Sequence, residues 1–153
     1  VGTALKHAQR KAVLAQGVRL ITWTYDPLEA RNAWLNIAKL GCICRTYIRN
    51  AYGDMPDALN AGLPSDRFEV EWWLEGRPAF QPPERTIEIP LHFQAIKRAD
   101  LHAALEWRLR TREQFERAFA EGYVVVGFER RGERGVYQLA LPASVSERNA
   151  STA

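Results

Sequence analysis

Arg108 and Arg112 stand one helical turn apart in a stretch where Leu101, Leu105, Phe115 and Phe119 mark an apolar stripe. Both arginines fall inside that stripe, and an unpaired guanidinium is costly to bury. They must snorkel, pair with acids such as Glu69 or Glu71, or face an anionic ligand, which a guanidinium can grip with two bonds. A second group lies between residues 26 and 40, where Asn32, Asn36 and Lys39 share the helical face opposite Ala30, Ala33, Trp34 and Ile37. Such a ridge is either solvated or contacts a cofactor chain, with amides for its amide groups and a lysine for a phosphate. A third group is Tyr47, Asn50, Tyr52, Asp57, Asn60, Asp66 and Arg67, within a loop long enough to suggest acceptor binding. Arg67 would hold a carboxylate of the acceptor or acyl group, or pair with Asp66. Finally, Gly2 and Thr3 open a helix whose free amides suit a phosphate, although a glycine there is more often a plain turn residue.

These groups need a scaffold, and the hydrophobic pattern supplies one. Leu5, Ala8, Ala12 and Ala15 predict a helix over residues 3–16 that Gly17 stops. Residues 18–25 are β-branched and aromatic, hence a strand. Asp26, Pro27 and Glu29 form a helix start in which Asp26 caps and Glu29 reaches back, and Gly41 ends that helix. Strands follow at 42–49, 68–74 and 85–90, with a short helix near 56–60. The longest helix is expected over 99–121, then a hairpin of strands 123–129 and 136–141. The tail from 144 is small and polar and is expected to fray. This order predicts an α/β fold with a mixed, largely antiparallel sheet and flanking helices. No internal repeat is visible.

At 153 residues, with 46% hydrophobic and 25% charged residues, the chain has the composition of one globular domain. No apolar run reaches the length that spans a bilayer, so no membrane partner is expected. The opening helix is amphipathic rather than a secretory leader, and Cys42 and Cys44 suit a reducing core, so a cytoplasmic location is expected. All but four of the 21 basic residues are arginine, yet the net charge is only +3. His7, His92 and His102 show no metal or triad spacing, and no metal is expected.

Several of these residues recur in a recognisable series. Trp23-Thr24-Tyr25-Asp26-Pro27-Leu28, Asn32-Ala33 with Asn36, and Lys39-Leu40-Gly41 are followed by Tyr52-Gly53-Asp54-Met55, Leu59 to Pro64, and Asp66-Arg67-Phe68. The series resembles a branch of predicted acetyltransferases in the GNAT superfamily of acyl-CoA N-acyltransferases, well over residues 1–75 and loosely beyond. Val1 and Gly2 match the last two positions of that family's pyrophosphate loop.

The resemblance implies acyl transfer from acetyl-CoA or another acyl-CoA, such as succinyl-CoA, to the amine of a small molecule, such as an amino acid. It implies cofactor contacts at Gly2, Thr3, Asn32, Asn36 and Lys39 and acceptor contacts at Asn50, Asn60, Asp66 and Arg67, to which the charge of Arg108 and Arg112 within the apolar stripe adds those two residues as substrate contacts. Ile37 stands where the family commonly carries the tyrosine that protonates the leaving thiolate, so Tyr47 or Tyr52 would replace it. Residues 1–75 would form the C-terminal part of the transferase domain, with its N-terminal strands and oxyanion amide lying before Val1. Residues 76–143 would form an extension packed on it, and a homodimer is left open.

Two other readings compete. The chain could be a catalytically incomplete transferase fragment that serves as a binding module, with a bare sheet edge inviting another chain. It could instead be a basic nucleic-acid module built on Arg98, Arg108, Arg110, Arg112 and Arg117, but Glu106, Glu113 and Glu116 interrupt that series, so nucleic acid is not an expected partner.

Overall fold

The computed structural model describes residues 2–51 and 63–143. Tyr52, Asn60, the helix expected near 56–60 and the tail from 144 lie outside them. Helix α1 (Gly2–Leu14) leads into strand β1 (Leu20–Tyr25). Helix α2 (Ala30–Ala33) continues without interruption as a π-helix (Trp34–Lys39). Strands β2 (Ile43–Ile48), β3 (Arg67–Trp73) and β4 (Arg85–Pro90) precede helices α3 (Phe93–Ala99) and α4 (Leu101–Ala120). Strands β5 (Val124–Arg131) and β6 (Arg134–Ala140) close the series as a hairpin turned at Gly132, whose φ is +58°.

The α/β class is as expected, but every strand pair is antiparallel and the six strands form one sheet in the order β1-β3-β2-β5-β6-β4. In each half two strands run parallel and the third lies between them, antiparallel to both. The first half is β1-α2-β2-β3 and the second is β4-α3-α4-β5-β6, and they meet back to back at β2 and β5. The architecture therefore repeats a motif of which the residues keep no trace.

The joint between the halves is narrow. Cys44 and Val125 form the registered pair there, and each strand carries a register shift beside it, at Cys44/Thr46 and Val125/Gly127. Bulges bend strands, and the sheet folds across this line. Phe68 on β3 and Tyr137 on β6 are separated by two strands, roughly 14 Å in a flat sheet. Their ring centroids are 5.3 Å apart, and the Tyr25 and Tyr137 hydroxyls are 2.9 Å apart.

The concave face so formed holds the core. Phe115 of α4 sits edge-on to both Phe68 and Tyr137 and stacks on Tyr47. His7 of α1 meets Trp72, and Lys6 covers Trp23. Thr22, Thr24, Glu69, Glu71 and Trp73 alternate onto the other face, where Arg45 grips Glu71 with two 2.8 Å bonds.

Gly135 is the position where this curvature leaves least room. A Cβ there would lie 2.5 Å from Phe128 Cζ and 3.2 Å from Ile89 Cγ1. Both neighbours are buried and cannot swing into solvent. Gly135→Ala is expected to cost about 1–3 kcal/mol by overpacking, measured as a lower urea midpoint with an unchanged slope.

Three sequence expectations need correction, and one helix went unread. Asp26 bonds the Leu28 amide, but the helix starts only at Ala30, because Tyr137 takes the Pro27 carbonyl at 2.6 Å and Arg108 takes the Asp26 carboxylate. Glu29 does not reach back to the cap but accepts a bond from Gln94. The long helix stands where expected, as α4, with Asp100 in extended conformation capping it through the Ala103 amide, but the shorter α3, which ends just before it at Ala99, was not expected. The buried line of α4 is Ala104, Arg108, Thr111, Phe115 and Ala118, whereas Leu101 is exposed.

Candidate functional site

Asp66 is the hub of the most connected polar cluster. It lies just before β3, fully buried, and accepts four bonds: two at 2.8 Å from Arg112, one at 2.7 Å from the Tyr47 hydroxyl, and one at 3.0 Å from the Asn50 amide. Local structure explains each partner. Tyr47 is near the end of β2, with its ring against Phe68 and Phe115. Asn50 follows β2 in a left-handed conformation, φ 45°, that asparagine tolerates better than most residues. Arg112 lies one turn before Phe115 on α4. Ala51 donates to the Ser65 carbonyl at 2.9 Å, so the cluster ties together the two ends of the 52–62 segment.

The electrostatics fix the charges. Burial alone would raise the Asp66 pKa, but Arg112, the Tyr47 hydroxyl and the Asn50 amide outweigh it and hold the carboxyl below its ordinary value. Burial, then the bond to Asp66, pushes the Tyr47 hydroxyl up. Tyr47 is thus a weak proton donor with its hydrogen already committed.

Arg108, one turn earlier, places two donors on Asp26 at 2.8 and 2.7 Å, with its guanidinium 5.3 Å from the centre of the Phe93 ring. Its burial favours the neutral form, yet Asp26 more than offsets that and raises its pKa. Both arginines of the stripe are therefore paired, but with Asp26 and Asp66 rather than Glu69 or Glu71, which alternate onto the opposite face of the sheet.

The structure thus brings Tyr47, Asn50, Asp66 and Arg112 into one cluster, with Arg108 beside it and Arg67 opening β3 opposite Ile48. The expected cofactor residues lie elsewhere. Gly2 and Thr3 are in the first turn of α1. Asn32 and Lys39 are exposed on α2 and its π continuation, with Lys39 Nζ 4.9 Å from the centre of the exposed Trp34 ring. Asn36 does not share their face but is buried at 5% exposure. The reason is the wider winding from Trp34, where the Leu40 amide bonds the Leu35 carbonyl five residues back, so a 3.6-residue wheel misplaces Asn36.

Sequence reasoning also missed the buried pair Tyr25 and Tyr137, whose hydroxyls burial pushes well above the ordinary tyrosine value. The buried Cys42 thiol is pushed up to about 12, chiefly by desolvation, and Cys44 is raised likewise, so neither is an activated nucleophile. Among the described residues no group of three or more His, Cys, Asp or Glu could hold a metal ion, and no helix is long and apolar enough to cross a membrane.

Compared with known proteins, the chain matches no family model, no curated protein and no solved structure.

Proposed function

We propose that this chain carries part of an acyl-CoA-dependent N-acyltransferase, which moves an acetyl or succinyl group from a CoA thioester to the amine of a small molecule such as an amino acid. One observation carries the reading. The described part of the GNAT-like series from Trp23 to Phe68 runs along consecutive elements of the β1-α2-β2-β3 unit, and the outer edge of β1 has no partner strand among the described residues. In this reading the thiol arm runs along the exposed side of α2 and its π continuation. The exposed Asn32 amide bonds the arm and the Lys39 ammonium meets a phosphate, while Asn36 works inside the protein. The acceptor amine attacks the thioester carbonyl, the C–S bond breaks, and the thiolate leaves with a proton.

The fate of the arginines favours the binding-module alternative in one respect. Arg108 and Arg112 are both held by carboxylates of the chain itself and offer no anion site. Thiol release from acetyl-CoA and succinyl-CoA, with a panel of amino acids, tests the enzymatic reading, and calorimetry measures CoA binding alongside. Amine-dependent thiol release is expected, with KM for the thioester raised roughly tenfold in Lys39→Ala. Binding without turnover would leave only the module, and absence of both would end the acyl-CoA reading.

A further inference from the structure

Almost every arginine among the described residues has a visible occupation. Arg45, Arg49, Arg85, Arg108, Arg112 and Arg117 hold carboxylates at 3.0 Å or less. Arg10 and Arg77 bond main-chain carbonyls, and Arg110 lies over the Trp107 ring. Against that background, Arg31, Arg98 and Arg130 have no carboxylate, carbonyl or ring partner among the described residues. Arg31 and Arg130 line the same cavity, and Arg98 does not.

That cavity has a volume of about 340 Å³, within the range of roughly 300–1,000 Å³ typical of small-molecule sites. Three separate elements build it. Arg31 and Trp34 are three residues apart on α2 and its π continuation, so they project to one side. Phe128 and Arg130 alternate onto the same face of β5. Leu91 and His92 close it from the short connection between β4 and α3. Phe128 is almost fully buried and forms an apolar floor, and Trp34 keeps 48% of its surface exposed.

No carboxylate lines the cavity. Two guanidiniums lack a counter-charge here, and the Trp34 indole, with the Lys39 ammonium 4.9 Å from its ring centre, still leaves aromatic surface in water. An anion bearing a flat ring corrects both faults. Its charge satisfies the guanidiniums, and its ring covers Trp34 and Phe128.

We propose that this cavity is a binding site for a small planar aromatic anion, an aryl carboxylate or aryl phosphate, with Arg31 and Arg130 on the anionic group and Trp34 and Phe128 on the ring. The site does not depend on the acyl-transfer reading. None of the residues assigned there to the thioester lines the cavity, although Lys39 reaches the Trp34 ring, and the proposal stands or falls on a separate ligand.

The indole N–H resonance of Trp34 in a ¹⁵N–¹H spectrum, identified by its absence in Trp34→Phe, gives the readout. The intact chain is titrated with benzoate and with phenyl phosphate, and, as partial ligands, with inorganic phosphate and benzyl alcohol. A saturable shift is expected with at least one aryl anion, and the tighter of the two names the source chemistry. Arg31→Gln and Arg130→Gln should each weaken that binding roughly tenfold, while Arg98→Gln leaves it unchanged. Both lining arginines are exposed and have no partner among the described residues, so each variant should melt with the parent. No saturable shift with either aryl anion overturns the proposal. So does binding of inorganic phosphate or benzyl alcohol as tight as that of the aryl anions, or an equal loss in Arg98→Gln.

Discussion

Replacing Asp66 by alanine is expected to destabilise the protein by about 3–5 kcal/mol and to lower its melting temperature on the order of 10 °C. The size follows from what is left behind. Arg112, the Tyr47 hydroxyl and the Asn50 amide all lose their acceptor together, and the Arg112 side chain is only 15% exposed. Asp66→Asn should cost less, since the amide oxygen still accepts from Tyr47 or Asn50 while the charge is lost. The pH dependence has a fixed sign. The folded-state pKa of Asp66 is depressed, so its contribution is fully present above the unfolded carboxylate value of about 4 and is lost as the pH falls through the folded value. Urea unfolding of the parent and Asp66→Asn should therefore show a constant gap from pH 5 to pH 8, and a shrinking gap in acid. A gap that instead grew in acid would mean that Asp66 is protonated in the native state.

Asp66 also shows where the sequence was legible and where it was not. Tyr47, Asn50, Asp66 and Arg112 were each picked out by residue type, from a strand end, a loop and a helix. Their mutual bonding was invisible, because 46 residues separate Arg112 from Asp66 and 19 separate Tyr47 from it. Local signals did well. The strand expected over 68–74 is β3 within one residue at each end, and Pro90 closes β4 where expected. The failures came where tertiary contact overrode local preference. The bond from Tyr137 to the Pro27 carbonyl delays α2, although Asp26, Pro27 and Glu29 look like a strong start. The π winding from Trp34 turns Asn36 inward, and nothing in its composition signals that. Asp100, by contrast, was a readable cap three residues before Ala103, and it marks the break that separates α3 from α4.

Arg108 and Asp26 offer the second large effect, and its asymmetry is the sharper test. Their pair ties the start of the α2 segment to the middle of α4 at 2.7 Å. The Arg108 side chain is 3% exposed and that of Asp26 is 16%. Removing the cation leaves a carboxylate that water can partly reach. Removing the anion leaves a guanidinium that water cannot. Asp26→Asn is therefore expected to cost more than Arg108→Met, with both inside about 2–5 kcal/mol. Asparagine keeps the Asx bond to the Leu28 amide, so the comparison isolates the charge. The double variant should recover most of either loss, because no charge is then stranded. Arg108→Met also removes Nε, which is buried with no hydrogen-bond partner among the described residues. If the two losses simply added in the double variant, the pair would not be energetically coupled. The same contact sets where α2 lies, and α2 with its π continuation carries Asn32, Trp34 and Lys39. Arg108→Met should accordingly disturb the Trp34 indole resonance from a distance, without touching any residue of the cavity that Trp34 lines.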